Sequence, residues 1–344
     1  MTANLRLAFQ RWITALLFPL VAILAAAVSA TLVKAAEKSD KPVTIRLDFI
    51  IGGKHAPWFV AQEKGFYSKR GITASIQPGT GSADTVRAVG AGIADFGFAD
   101  ITTAIVARSR GTPVVIVAQL GHVPATILWR DDTNIKNLKD LEGKSWAISP
   151  GQAQWYLMPA FCKINNIDCK SMKVNETAAA MQPGALVAKK VDFIVMYRAS
   201  NDEVTEIAAA KQGVKLKRVY MRENGLDMYG SALIVKDEDV KRRPEIVRAY
   251  VEGTMEGLRY SRDHQDEVLQ MLLKQKPELD KELTRIQLKN AVEEVFIPRE
   301  SLDSGFGYMR PEVMGKTVQI TNEFFDGGRK VALEEVYTNQ FIKK

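Results

Sequence analysis

Strict alternation marks the start of the folded chain. Val43, Ile45, Leu47 and Phe49 fall on one side and Thr44, Arg46 and Asp48 on the other, the period-2 signature of a strand. After the loop Ile51 to His55, Pro57 sits where a helix begins, and Phe59, Val60, Glu63, Lys64 and Tyr67 continue at helical spacing until Gly71 ends it. The rhythm repeats through a strand at 72–77, the turn Pro78-Gly79-Thr80-Gly81-Ser82, a helix at 83–89, a strand from Asp95 to Phe98, a helix from Ile101 to Ser109 and the apolar run Val114 to Leu120. Such βαβα order predicts a mostly parallel sheet with helices on its faces.

A second unit opens near Asn137 to Lys144, a short amphipathic turn before the strand Ser145 to Ser149. A helix from Gln152 to Ile164, a helix from Ala178 to Lys189, a strand from Val191 to Met196 and a helix from Asp202 to Lys211 carry it to about Leu226. The chain returns through the strand Ser231 to Val235, and the tail is helical, as in Pro244 to His264 and Lys281 to Val295. Two α/β lobes are expected: 42–128 and 129–226, with 227–344 returning to the first lobe and its back surface. About 300 residues is more than one core usually serves. No internal repeat stands out.

The segment before Val43 changes the setting. Arg6 and Arg11 precede an apolar run from Trp12 to Val28 without a charged residue, the layout of an export signal spanning 1–35. Small residues offer cleavage after Ala30 or after Ala35, the latter placing the new start before Glu37-Lys38-Ser39-Asp40; Pro19 argues against an uncleaved anchor. The expected compartment is the oxidising periplasm. There Cys162 and Cys169, the two cysteines of the chain, form a local disulfide instead of a redox centre. The formal charge falls from +7 to +4 once Arg6, Arg11 and Lys34 leave, and the basic residues are interspersed with acidic ones, which excludes a nucleic-acid patch. With three histidines and no paired Cys/His spacing, neither a metal nor a cofactor is called for.

Candidate chemistry lies at strand-to-helix turns, where free backbone N–H groups attract polar or anionic solutes. His55 can hydrogen-bond a ligand or serve as a capping or core histidine; Trp58 can stack on a flat ligand or fill the core. Gly81 and Ser82 form a nest-like turn, or simply a strand-to-helix link. Asp100 either binds a ligand N–H or caps the following helix. Ser149, Gly151 and Gln152 form the matching turn of the second unit, so that two helix N-termini face one another. Tyr197 and Arg198 follow an apolar strand, with Arg198 suited to an acid or to a salt bridge. Tyr229 lies in a hinge candidate, Asp227 to Gly230, that also reads as a plain turn. None of these sets reads as catalytic.

The order of parts resembles a known family. Leu47-Asp48-Phe49 with Gly53-Lys54-His55-Ala56-Pro57-Trp58, then Gly90-Ala91-Gly92-Ile93-Ala94-Asp95-Phe96-Gly97, then Leu138 to Lys144 followed by Ser149-Pro150-Gly151, is similar to the substrate-binding proteins of nitrate, sulfonate, taurine and thiamine-pyrimidine transporters. The resemblance covers most of the chain after residue 35. It implies a type II periplasmic binding fold, two α/β lobes closing on a small-molecule solute, and a monomer that serves an inner-membrane ABC permease; the ATPase would be separate, since no Walker motif occurs here. The His-Ala pair is most similar to the branch holding pyrimidine-precursor receptors and the pyrimidine synthases of thiamine biosynthesis. That resemblance turns His55 toward the ligand and suggests a flat nitrogen heterocycle, with aromatic acids and sulfonates as alternatives. The synthases carry a cysteine-rich segment that this chain lacks, so a binding protein and not an enzyme is expected. A solute sensor without transport would look the same.

Overall fold

The computed structural model describes residues 42–297, 305–324 and 328–342. The export signal expected at 1–35 lies outside the described residues. The first stretch contains β1 (Val43–Arg46), α1 (Ala56–Glu63), β2 (Ala74–Gln77), α2 (Ser82–Gly90), β3 (Phe96–Asp100), α3 (Ile101–Ser109) and β4 (Val114–His122). Next come β5 (Ala125–Arg130), β6 (Ser145–Ile148), α4 (Ala153–Ile164), β7 (Lys173–Glu176), α5 (Gln182–Val187), β8 (Phe193–Tyr197), α6 (Asn201–Lys211) and β9 (Leu216–Tyr220). The return comprises β10 (Tyr229–Lys236), α7 (Asp237–Arg242), α8 (Pro244–Asp263), α9 (Gln265–Gln275), α10 (Lys281–Asn290) with a π-helical turn at Ala291–Val295, α11 (Pro311–Phe324) and α12 (Leu333–Val336).

The strands form two sheets of the same design, ordered β2-β1-β3-β10-β4 and β7-β6-β8-β5-β9. In each, four strands run parallel and the fifth, β10 or β5, runs antiparallel between two of them. The antiparallel strand is the one that arrives from the other sheet, so each sheet contains one strand contributed by a crossing. The first crossing is only Val123-Pro124, and β5 pairs in the second sheet from Ala125 onward, within the stretch 42–128 that the sequence assigned to the first lobe. At the second crossing Met228 C=O accepts from Val123 N–H (3.0 Å), and His122 Nδ1 lies 2.7 Å from Asp227 Oδ1, which joins the two crossings side by side. A Cβ on Gly230 would come 2.5 Å from the His122 carbonyl oxygen, so the approach requires glycine.

Both faces of each sheet are covered. Ile45, Leu47, Phe98 and Leu233 pack under Trp58, Tyr250, Leu258 and Leu288, while Ile234 and Ala99 face Val86, Ile101 and Met314. In the second sheet Phe193, Val195 and Tyr197 join Trp129, Trp146 and Phe161, whereas Ile194 and Met196 join Leu128 and Leu186. β8 therefore reads as an unbroken apolar run because both of its faces are buried. α11 spans the two: Met314 and Val318 lie in the first sheet's layer, and Ile320 lies in the second's.

Two helices are shorter than their spacing predicts. The helix begun at Pro57 stops at Glu63, Gly65 turns left-handed (φ +72°), and a 3-10 turn leads to Gly71 (φ +83°). The helix expected at 178–189 is a 3-10 turn, Ala179–Met181, followed by α5, whose Pro183 is tolerated only in the first turn. Cys162 and Cys169 are joined, tying the end of α4 to the next turn. Among the described residues no helix is long and apolar enough to cross a membrane.

Candidate functional site

The carboxyl ends of β1, β2, β3, β6 and β8 converge on a cavity of about 40 Å³, lined by Asp48, Phe49, Lys54, Gly81 and Ser82 from the first sheet's loops and by Gln152, Ala153, Gln154, Tyr197, Ser200 and Asn201 from the second's. α2, α4 and α6 begin at this cavity, with Ser82, Ala153 and Asn201 of their first turns in its lining, and helix N-termini favour anionic or electron-rich groups. The volume suits roughly one or two water molecules. It is far below the roughly 300–1,000 Å³ of a pocket for a larger organic ligand.

Lys54 supplies the site's positive charge and Asp48 its negative one. Its ammonium is nearly buried, lies 2.7 Å from Asp48 Oδ2 and stands 5.8 Å over the Phe98 ring. Asp48 also receives His55. Because Gly52 N–H donates to Nδ1 of His55 (3.2 Å), the ring hydrogen sits on Nε2 and is given to Asp48 Oδ1 at 2.8 Å. Burial alone would push the Asp48 carboxyl up, but the Lys54 charge and the His55 hydrogen bond outweigh it and hold the group down at about 2. Burial pushes His55 below its ordinary value, so the imidazole is neutral near pH 7. The result is one carboxylate shared by one cation and one neutral donor.

Ser82 and Asp100 form the next layer. Ser82 Oγ accepts from Asp100 N–H (3.0 Å), and the Asp100 carboxylate caps α3 by accepting from Thr103 N–H (3.0 Å). Its other oxygen accepts from the Tyr197 hydroxyl at 2.9 Å, a direct bond between the two sheets' loops. Burial pushes Asp100 up to about 6 despite these donors. On the facing side Gln152 Oε1 accepts from Ser149 N–H (2.9 Å) and from Gln182 Nε2 (2.8 Å), which fixes the first turn of α4. The two glycine turns meet. Ala83 N–H points at Gly151 C=O at 3.4 Å, and a Cβ on Gly81 would stand 3.0 Å from that oxygen.

The candidate residues thus separate into groups. Gly81, Ser82, Gln152 and Tyr197 line the cavity; Asp100, Ser149 and Gly151 support it. His55 is fully buried one layer behind Asp48, and Trp58 is fully buried, 4.5 Å from Phe98 between ring centroids. Arg198 turns away from the cavity to Glu294 (3.0 Å) and Glu203 (3.2 Å). Tyr229 lies at the second crossing, its hydroxyl accepting from Arg310 N–H at 3.1 Å. Sequence reasoning missed Asp48, Lys54, Ser200 and Asn201 as lining residues. The first two lie within the motif that carried the resemblance, so a signal for them was present.

Two α/β sheets exchanging one strand each, with a polar cavity between their carboxyl ends, define the type II periplasmic binding fold. The aliphatic sulphonate binding protein SsuA of Escherichia coli superposes with a TM-score of 0.66 at 16% identity, over 86% of this chain and 92% of that one. The NMT1/THI5-like family model matches residues 53–268, and the chain belongs to that family. Among its relatives are the 4-amino-5-hydroxymethyl-2-methylpyrimidine phosphate synthase of Legionella pneumophila, 23% identical over 87% of this chain and 92% of the relative, and the riboflavin-binding protein RibY of Chloroflexus aurantiacus, 24% identical over 96% and 94%.

Proposed function

We propose that the chain is the periplasmic solute-binding component of an ABC transporter, which captures a small solute between two lobes and presents it to an inner-membrane permease driven by a separate ATPase. The observation that carries this reading is the cavity itself, whose polar lining comes from both sheets and beside which Tyr197 and Asp100 join them. A solute that separates the Gly81 and Gly151 turns would meet Lys54 and three helix N-termini, which favour an anionic or electron-rich edge, and Phe49, which offers a flat apolar wall. Relatives named for riboflavin and for a pyrimidine phosphate support a nitrogen heterocycle as the body of that solute.

A second reading, a pyrimidine-synthase-like enzyme, is favoured by the name of the Legionella relative. His55 offers that reading no reacting group: both ring nitrogens are engaged, and the residue is not part of the cavity lining. A thermal-shift panel separates the readings. It comprises riboflavin, 4-amino-5-hydroxymethyl-2-methylpyrimidine and its phosphate, an aromatic carboxylate, an alkanesulfonate and nitrate, with mass spectrometry of each solute afterwards. The expected result is stabilisation by one chemical class with the solute recovered intact. Formation of the pyrimidine phosphate by the protein in a small-molecule cell extract to which none was added supports the enzyme, and stabilisation by none of the panel contradicts the transport reading's heterocycle and its alternatives together.

A further inference from the structure

α10 belongs to the return segment and packs in the first sheet's apolar layer through Leu288, yet it makes three contacts with the second sheet's side of the cavity. Gln287 accepts from Gly53 N–H through Oε1 (2.9 Å) and donates from Nε2 to Ser200 C=O (2.8 Å). Gly53 precedes Lys54, and Ser200 precedes Asn201, so one buried amide ties together two turns that line the cavity from opposite sides. One turn further on, Asn290 Nδ2 donates to Glu203 Oε1 (2.6 Å), and in the π-helical turn Glu294 accepts from Arg198 Nε (3.0 Å). Positions 287, 290 and 294 share one helical face.

The receiving turn is held under strain. Ala199 has φ +63°, a left-handed conformation that is unfavourable for a residue with a side chain. Its N–H is fixed by Glu203 Oε1 at 2.9 Å, the same oxygen that Asn290 grips. The opposite turn is equally constrained: a Cβ on Gly53 would come 2.1 Å from Thr284 C=O, so α10 rests directly on the backbone next to Lys54.

We propose that Gln287 is a positioning residue for solute capture: with Asn290 and Glu294 it sets the spacing between the Lys54 and Asn201 turns, and release of this face of α10 lets the two sheets part. The inference rests on the two-lobed reading but not on the identity of the solute. Its test therefore needs no ligand. Spin labels at Ser68→Cys and Lys211→Cys, both exposed and on opposite sides of the cavity, report the distance between the sheets by pulsed electron resonance. In the purified protein a single narrow distance is expected. In Gln287→Met, which keeps the volume and loses both hydrogen bonds, a second, longer population is expected, and Glu294→Gln, a change on the surface, shifts the same balance less. Gln287→Glu, which keeps the acceptor for Gly53 and loses the donor to Ser200, should behave as Gln287→Met does. Unchanged distance distributions in all three variants overturn the proposal, even where the melting temperature falls, because a merely structural role lowers stability without opening the cleft.

Discussion

Tyr197 and Arg198 are neighbours at the end of one strand, and only one reaches the cavity. Side chains alternate sides along a strand, so the Tyr197 hydroxyl meets Asp100 while Arg198 is taken by Glu203 and Glu294. The two buried aspartates of the site respond to acid in opposite directions. Asp48, held at about 2 against an ordinary 3.8, contributes stability that is present above 3.8 and lost as pH falls toward 2. Asp100, raised to about 6, binds its proton more tightly in the folded chain, so its contribution is present below 3.8 and lost as pH rises through 6. Asp100→Asn, which can still cap α3, is predicted to remove about 2–3 kcal/mol of pH-dependent stability between pH 4 and 6. Urea unfolding at intervals across that range measures it, and an unchanged slope contradicts the assignment.

At the scale of elements, legibility in the sequence followed burial. β1, β3, β4, β8 and β10 carry apolar residues on one or both faces and could be read from them; α3 was legible to its end residues because Asp100 caps it and Gly111 follows. β7 and β9 could not. Lys173-Val174-Asn175-Glu176 is exposed along its whole length, and Leu216-Lys217-Arg218-Val219-Tyr220 is an edge strand with charges at its centre, so neither shows a period to read. β5 was hidden by its proximity to β4, separated only by Val123-Pro124. The cavity lining was legible at its turns, through Gly81, Ser82 and Gln152, but the bonds that join the turns before Lys54 and Asn201 come from Gln287 of α10, more than 80 residues further along the chain than Asn201. Gly53→Ala, driving a methyl into the α10 backbone, is predicted to cost about 2–3 kcal/mol in chemical denaturation. A cost below about 0.5 kcal/mol would mean that α10 does not press on this turn.

At the scale of the molecule, two sheets of one design exchange a strand each and hold a cavity between their carboxyl ends, while α10 bonds to both of its sides and α11 spans the apolar layers of both. The repeated strand order is invisible in the sequence because the two halves conserve a topology and not a residue pattern. In the proposed function, this cavity is where solute is captured. The most direct test is isothermal titration of the purified protein and of Lys54→Gln with the solute class that stabilises it in the panel above. One saturable site per chain is predicted, weakened at least about tenfold, or 1.4 kcal/mol, in Lys54→Gln. Equal affinity in the two proteins, with Lys54→Gln folded, would place the solute elsewhere and rule out capture in this cavity.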